Sequence, residues 1–231
     1  MDFFEAVKRR RSVRKFTDQK VPDEIISKAL EAAILAPNSS NTQTWHFHWI
    51  KSDGVKQIAV KNCLSQSAAR TAQHLIAVTA DPALWRRSHR PLLEWVESVK
   101  APSQVKFYYD KLIPFTYRWG FFNCLAPVKW LISFAVGLFR PMMRGPAGRG
   151  DLQEIAMKSA ALAAENFVLA ISAQGAATCM MEGFDEWRMK RLLRLPGSAR
   201  IVMVIAVGFE SDRGLWGPQM RLPLNQVVSI H

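Results

Sequence analysis

The chain has 231 residues, of which 49% are hydrophobic and 22% charged, so it can bury the core of one large domain, which excludes a largely disordered chain. Its 31 basic and 19 acidic residues give a formal charge of +12, which would attract phosphates, nucleic acid or an anionic membrane surface. Because the basic residues are scattered, without zinc-finger spacing or a basic run interleaved with aromatic residues, nucleic-acid binding is not expected.

The N-terminal part of the chain alternates between helix and strand patterns. Apolar residues at helical spacing predict helices, and Pro22 with Asp23 gives one of them a typical start. Alternation of aromatic with other residues, and one short apolar run, predict strands. The predicted helices cover residues 2–11, 22–34 and 55–64, and the predicted strands cover residues 46–50 and 74–79.

The C-terminal part is dominated by one long helix. Alanine and leucine recur at helical spacing over residues 151–174, and Gly175 follows as a typical stop, so a long, mostly buried helix is predicted. A short amphipathic helix is predicted over residues 186–195 and a central strand over residues 200–207. The mixed order of elements predicts an α+β fold, with a sheet packed by helices in a single domain over residues 1–231.

Residues 85–150 form an atypical segment, an insertion or lid. They contain several tryptophans and prolines, and the stretch 119–139 is apolar except around Pro127 and Lys129. That stretch approaches the length of a membrane-spanning helix, but a lysine and a proline in its middle make spanning costly. Two interpretations stay open: a buried lid or dimer-interface segment, and an interfacial helix that contacts a membrane surface peripherally through residues 119–140.

The first candidate site is the run RRRSVRKF at residues 9–16. Arginine forms fork-shaped, charge-assisted hydrogen bonds to phosphate, and a serine hydroxyl adds a neutral donor. A phosphate group is therefore a natural ligand for this run. The alternative is a solvated basic face at the end of a helix. The candidate residues are Arg10, Arg11, Ser12 and Arg14.

The second candidate site is the polar loop APNSSNTQTWHF at residues 36–47. Its amide side chains both donate and accept hydrogen bonds, and its hydroxyls do the same, so the loop suits a polar heterocycle. The alternative is an ordinary polar connection between a helix and a strand, whose side chains cap backbone groups. The candidate residues are Ser39, Asn41 and Gln43.

These two segments in this order resemble the FMN-dependent nitroreductase family. Two further segments agree with the resemblance. The stretch AAENFVLAISAQGAATCMMEGFDEWRMKRLL resembles that family's long central helix and the glutamate-glycine-phenylalanine turn after it, here residues 182–184. Near the C-terminus, MRLPLNQVV resembles its closing arginine-x-proline-leucine tail. The four matching segments lie within residues 1–80 and 151–231.

The resemblance implies a nitroreductase-like fold, with a mostly antiparallel central sheet in an intertwined homodimer. It implies non-covalently bound FMN that passes hydride from NAD(P)H to a small organic acceptor, a nitroaromatic or quinone, by a ping-pong mechanism. Arg10, Ser12 and Arg221 would hold the FMN phosphate. Arg14 would lie near the N1 and O2 edge of the ring, where negative charge develops on reduction.

Further ring contacts are implied in the same way. The main-chain amide of Glu182 or Gly183 would face flavin N5, and Gln66 is a candidate for the pyrimidine edge. The site would be shared between subunits. The residues implied to come from the partner subunit are Ser39, Asn41 and Gln43.

The chain departs from the family pattern in two places. The family commonly carries a cation two positions before the tail arginine, where this chain has Gln219, and Arg11 is the candidate replacement. Residues 85–150 match no family motif, so the acceptor stays open. One alternative is a specialised relative for enone reduction, reductive dehalogenation or flavin destruction. Another, of a different class, is a membrane-surface or flavin-storage protein.

Other chemistry is not indicated by the sequence. No Ser-His-Asp arrangement, paired catalytic carboxylates or metal-ligand cluster is recognisable, so neither a metal nor a catalytic side chain is expected. The cysteines, Cys63, Cys124 and Cys179, are odd in number and far apart, which indicates a reducing compartment. The N-terminal residues lack an apolar segment with a cleavage site, so a cytoplasmic location is expected, with or without contact to the inner face of the membrane.

Overall fold

The computed structural model describes residues 2–231, apart from the side chain at position 121. Within these residues lies a four-stranded antiparallel sheet with the strand order β1-β2-β4-β3. The strands are β1 (Trp45–Ile50), β2 (His74–Ala80), β3 (Ala177–Met181) and β4 (Arg200–Gly208). The helices are α1 (Phe3–Arg9), α2 (Asp23–Ile34), α3 (Asp53–Asn62), α4 (Ser67–Thr71), α5 (Trp85–Ser98), α6 (Ser103–Phe107), α7 (Ile113–Tyr117), α8 (Leu125–Gly137), α9 (Arg149–Ala173) and α10 (Glu186–Leu192).

Helices cover both faces of the sheet because its central strands are apolar on both sides. In β2, Ile76 and Val78 belong to the core cluster formed with α2 and α9. Leu75 and Ala77, which alternate with them, belong to the opposite cluster, formed with α3, α4 and α10. Such near-continuous apolar runs are typical of strands buried on both faces. The result is a three-layered α+β fold, which confirms the predicted fold class.

The central helix α9 packs its small and apolar side chains against α2 and the sheet. At its start, Asp151 Oδ2 accepts the backbone N–H of Ala147 at 2.8 Å and that of Gly148 at 3.3 Å. Just after its end lies Gly175, whose φ of +89° favours glycine. α9 is long and apolar enough to cross a membrane, but 50% of its apolar window is buried inside the domain, as in a core helix.

Residues 85–150 fold into a group of helices, α5 to α8, that packs beside the start of α9. Within the apolar stretch 119–139, a short 3-10 turn at Phe121–Asn123 precedes α8, so the stretch is not one continuous helix. α8 has 13 residues, fewer than the roughly 20 that cross a bilayer. The buried side chains of the cluster that joins this group to α9 are Trp85, Ile113, Tyr117 and Leu152.

The predicted helices and strands are confirmed with small shifts of their ends. The largest shift is in the helix predicted over residues 186–195, which ends at Leu192. No strand is predicted over Ala177–Met181, yet β3 forms there. β3 is a short strand at the edge of the sheet that pairs with β4 alone among the described strands. Its five residues, ATCMM, lack the alternation that predicts a strand.

Candidate functional site

The arginine run continues from α1 as an extended segment beside β3. The backbone N–H of Val13 donates to the Thr178 carbonyl at 2.9 Å, and that of Arg14 donates to the Gly214 carbonyl at 2.7 Å. Val13 is only 1% exposed and anchors the segment in the core. Because neighbouring side chains of an extended segment point to opposite sides, Ser12 and Arg14 lie toward the surface.

A cavity of about 230 Å³, here named the arginine cavity, opens at this segment. Side chains from the run and from the C-terminal tail form its wall. Arg11 Nη2 donates to the Gly217 carbonyl at 2.7 Å, which ties the tail to the run. As far as the described residues show, the wall has four arginines and no carboxylate, so it attracts an anion. The lining residues include Arg10, Arg11, Ser12, Arg14, Trp216 and Arg221.

A second cavity, of about 320 Å³ and here named the glutamine cavity, shares Arg14 and Trp216 with the arginine cavity. The Arg14 guanidinium lies over the Trp216 ring, with Cζ 4.8 Å from the ring centroid. Gln66 lines the glutamine cavity, and its Nε2 donates to the Gly183 carbonyl at 2.6 Å. The two cavities form one elongated site, with three arginines at one end and Arg14 where they meet. The other end carries the Gln66 amide together with two cations, Lys15 and Arg213.

The turn after β3 lies next to the glutamine cavity. A Cβ atom on Gly183 would come within 3.3 Å of Gln66 Nε2, so glycine allows this close approach. Glu182 and Gly183 are both exposed and belong to the wall of neither cavity. The structure therefore brings the predicted turn beside Gln66 with its backbone at the surface.

The polar loop at residues 36–47 lies in a different part of the chain. Asn38 Oδ1 accepts the backbone N–H of Gln43 at 2.8 Å, and Arg87 Nη2 donates to the Gln43 carbonyl at 2.9 Å. No described residue of this loop lines the arginine or the glutamine cavity, so one chain does not bring the two predicted segments together. Positive φ angles of 54°, 51° and 47° occur in the loop at Ser40, Asn41 and Gln43.

Ser39 and Ser40 instead line a third cavity, of about 320 Å³, whose remaining wall comes mainly from the atypical segment. The Ser40 hydroxyl forms a hydrogen bond with the Tyr108 hydroxyl. Thr42 Oγ1 lies 3.0 Å from the Tyr117 hydroxyl. These tyrosines are not among the predicted site residues, because the segment that contains them matches no motif.

Trp216 is a further site residue that was not predicted from the sequence. It lines both the arginine and the glutamine cavity, although 86% of its surface is exposed. This large aromatic side chain, between Gly214 and Gly217 in the sequence, leaves most of its surface open to a ligand or another chain. A tryptophan flanked by glycines near the tail arginine is the sequence signal that points to it.

The histidines on β1 are not part of the site. Burial, with a contribution from His46, lowers the pKa of His48 to about 4. Burial and the nearby Arg87 lower the pKa of His46. Neither histidine lines a described cavity. Across residues 2–231 no group of three or more His, Cys, Asp or Glu side chains is placed to hold a metal ion.

Comparison with known proteins identifies the family. The family model described as the nitroreductase family matches residues 7–209. Protein DrgA of Synechocystis sp. is 30% identical over 213 residues, which make up 92% of this chain and 86% of that protein. A Streptococcus pyogenes protein named as an NAD(P)H nitroreductase, Spy0809, is 25% identical over 228 residues, which make up 99% of this chain and 98% of that protein.

Solved structures agree with this assignment. A structure from Exiguobacterium sibiricum, described as a nitroreductase in complex with FMN, is similar with a TM-score of 0.75 and 25% identity, over 100% of this chain and 98% of that chain. A nitroreductase family protein from Streptococcus pneumoniae has a TM-score of 0.71 over 100% of both chains, at 22% identity. The chain therefore belongs to the nitroreductase family of oxidoreductases, as its four sequence segments predict.

Proposed function

We propose that this protein is an FMN-dependent oxidoreductase that passes hydride from NAD(P)H to a small organic acceptor, a nitroaromatic or quinone, with donor and acceptor binding in turn. The observation that carries the proposal is the elongated site formed by the arginine and glutamine cavities. When bound, FMN would supply the redox chemistry, by accepting hydride from the nicotinamide and delivering it to the acceptor. The chain would supply binding, orientation and electrostatics.

The arginine cavity fits the phosphate of FMN. Arg10 and Arg221 provide guanidinium groups and Ser12 provides a hydroxyl, which are typical phosphate donors. Guanidinium groups that share a wall repel one another, and a phosphate dianion would relieve that repulsion. Many family members carry a cation at the position of Gln219. Arg11 lines the same cavity, which supports the proposal that Arg11 replaces that cation.

The glutamine cavity fits the ring end of the cofactor. Arg14 lies where the two cavities meet, which supports its placement at the N1 and O2 edge. A guanidinium there stabilises the negative charge of the reduced ring and so raises the reduction potential. Gln66 Nε2 donates to the Cys63 and Gly183 carbonyls, which leaves Oε1 to accept a hydrogen bond from the pyrimidine edge. Its hydrogen bond to Gly183 supports a role for the amide of Glu182 or Gly183 near N5.

We infer a homodimer in which each subunit completes the other's site. Residues 216–231 are exposed along their whole length. Exposed apolar side chains in such number are typical of a surface that another chain covers. The polar loop of one chain, with Ser39, Asn41 and Gln43, lines neither cofactor cavity of that chain. In a dimer it would contact the flavin bound by the partner. The exposed apolar tail residues are Trp216, Met220, Leu222, Leu224, Val227, Val228 and Ile230.

An absorbance spectrum of the purified protein tests cofactor and reaction together. We expect a yellow protein whose flavin bands bleach on anaerobic addition of NADH or NADPH and return on addition of a nitroaromatic or quinone. Enones and halogenated aromatics in the last step would reveal a specialised relative. A colourless protein that does not take up added FMN would contradict the proposal. Bound flavin that neither nicotinamide reduces would favour flavin storage instead.

A second proposal concerns location: a cytoplasmic enzyme that contacts the inner face of the membrane through residues 119–140. Most amphipathic helices turn their charges outward, but α8 buries Lys129 and exposes apolar side chains. Arg140 and Arg144 follow the helix, are exposed, and suit anionic headgroups. The exposed apolar side chains of α8 are Val128, Trp130, Leu131, Ile132 and Phe134.

Sedimentation with liposomes that contain phosphatidylglycerol tests the membrane contact. We expect the protein to pellet with them at low salt and less at high salt, because screening weakens the attraction between exposed charges. Trp130→Ser should reduce pelleting. Trp187→Ser, which changes a similarly exposed tryptophan on α10, should not. Indifference of the wild-type protein to these liposomes at low salt would overturn the proposal.

A further inference from the structure

The third cavity, here named the lysine cavity, lies between the polar loop and helices α7, α8 and α9. Its volume of about 320 Å³ falls at the lower end of the range for small-molecule sites. Apolar side chains such as Ile113, Phe115 and Ile132 make up most of its wall. Its few polar groups include the Tyr108 hydroxyl and the Lys129 ammonium. An apolar wall with a few placed polar groups is typical of a ligand site.

Lys129 is the charged group of this wall, and only 4% of its surface is exposed. Its Nζ donates to the Thr116 carbonyl at 2.8 Å and to the Arg118 carbonyl at 2.6 Å, at the end of α7. An ammonium group has three N–H donors, so one more is available to a ligand. Among the described residues, no carboxylate forms an ion pair with Lys129.

A buried ammonium group without an anion is costly. Burial lowers the pKa of Lys129, because the buried ammonium group has lost part of its hydration. The Phe115 ring, with its centroid 5.4 Å from Nζ, and the two carbonyls offset part of it. Carbonyls and rings carry no net charge, so the cavity keeps a positive charge that a ligand anion would balance.

We propose that the lysine cavity binds acceptors that carry a carboxylate on an aromatic body, and that Lys129 selects the carboxylate. The apolar wall takes the aromatic body, and Lys129 Nζ donates its remaining hydrogen bond to the carboxylate. The inference rests on the proposed function, because Ser39 and Ser40 in this wall belong to the loop assigned to the partner's flavin. In the proposed dimer, that placement would bring the bound carboxylate compound next to the partner's cofactor site.

Titration calorimetry with 4-nitrobenzoate and 4-nitrobenzamide tests the proposal on the oxidised, flavin-loaded protein without nicotinamide. The two compounds have nearly the same shape and differ in charge. We expect 4-nitrobenzoate to bind the wild-type protein about tenfold more tightly, as a hydrogen bond between charged groups allows. Lys129→Gln should bring the two affinities within about twofold of each other, mainly by weakening 4-nitrobenzoate.

Two further variants separate charge from structure. Lys129→Arg keeps the cation and should keep a preference for 4-nitrobenzoate. Lys106→Gln removes the same charge from an exposed residue of the same segment, paired with Glu97, and should keep the full preference. In turnover with 4-nitrobenzoate, Lys129→Gln should raise KM about tenfold and change kcat less than about twofold, since uniform binding is lost.

The outcomes test the cavity and the oxidoreductase proposal separately. Equal affinity of the wild-type protein for both compounds would overturn the inference, and this comparison needs no variant to fold. An equal loss of both affinities in Lys129→Gln would assign Lys129 a purely structural role. A preference for 4-nitrobenzoate without any reduction by NAD(P)H would support the cavity and contradict the oxidoreductase proposal. Turnover without that preference would do the reverse.

Discussion

Arg14 and Arg221 line the same cavity, but the structure gives them different expected effects. Only Arg14 also reaches the glutamine cavity, whereas Arg221 is confined to the arginine cavity. We therefore expect Arg221→Ala to weaken FMN binding by about tenfold or more, the loss of one charge-assisted contact. FMN titration of the apoprotein measures this. Arg90→Ala, which removes an exposed arginine paired with Glu94, is the control. Equal FMN affinity in Arg221→Ala and wild type would remove Arg221 from the phosphate site.

Arg14→Ala is expected to act on the electronics of the bound cofactor. Without the guanidinium, the negative charge of the reduced ring loses a stabilising partner, so the reduction potential should fall and reduction by NAD(P)H should slow. Spectroelectrochemical titration of the flavin measures the potential, and stopped-flow absorbance measures the rate. An unchanged potential in Arg14→Ala would show that Arg14 lies away from the N1 and O2 edge.

His48 gives the stability of the fold a defined pH dependence. Burial lowers its pKa from 6.5 to about 4, so the folded state favours the neutral ring. The unfolded chain binds a proton first as the pH falls, so stability present above pH 6.5 is lost between 6.5 and about 4. Urea denaturation at several pH values in that window should show a shallower loss for His48→Gln than for wild type. Identical slopes would contradict the assignment.

At the scale of elements, the end of β4 depends on one close packing contact. A Cβ atom on Gly208 would lie 2.6 Å from Phe16 Cβ and from the Phe16 ring, so that side chain must shift. We expect Gly208→Ala to lower the free energy of unfolding by about 1–3 kcal/mol. Chemical denaturation measures this, with Gly197→Ala as the control, since nothing lies within 4 Å of a Cβ there. Equal stability of the two variants would show that Phe16 can move at no cost.

The long, strongly patterned elements were predictable from the sequence, and the irregular ones were not. The helix predicted over residues 151–174 matches α9 closely because its apolar pattern continues over seven turns and a glycine stops it. β3 has five residues at a sheet edge, and its position depends on pairing with β4, which no local pattern encodes. The sequence of α8 also left its environment open, because its polar side chains line a cavity while apolar ones are exposed.

In the candidate site, residues that form one sequence motif were predictable, and residues outside the motifs were not. Arg10, Arg11, Ser12 and Arg14 are neighbours in the sequence, so a motif could group them. Arg221, which the family resemblance assigns to the same group, lines the same cavity. Their exact cofactor contacts stay predictions. Lys129 gains its buried surroundings only when α7, α8 and the polar loop pack together, so no sequence pattern could identify it. Trp216 had only the glycines near it as a signal.

At the scale of the whole molecule, the exposed tail is expected to hold the dimer together. A chain that ends at Gly217 lacks most of the apolar tail, so it should sediment as a monomer and lose FMN. Arg221→Ala in the full chain should lose FMN affinity but remain dimeric, which separates the phosphate contact from assembly. Sedimentation velocity measures both. A shortened chain that stays dimeric would assign the subunit contact to another surface.

The separation of the polar loop from the arginine cavity has a consequence for dilution. If each flavin is enclosed by two chains, a single subunit provides only part of the residues that bind FMN. Cofactor retention then follows mass action, because binding and subunit association stabilise each other. The protein should lose its yellow colour at concentrations where subunits part, and added FMN should draw them back together.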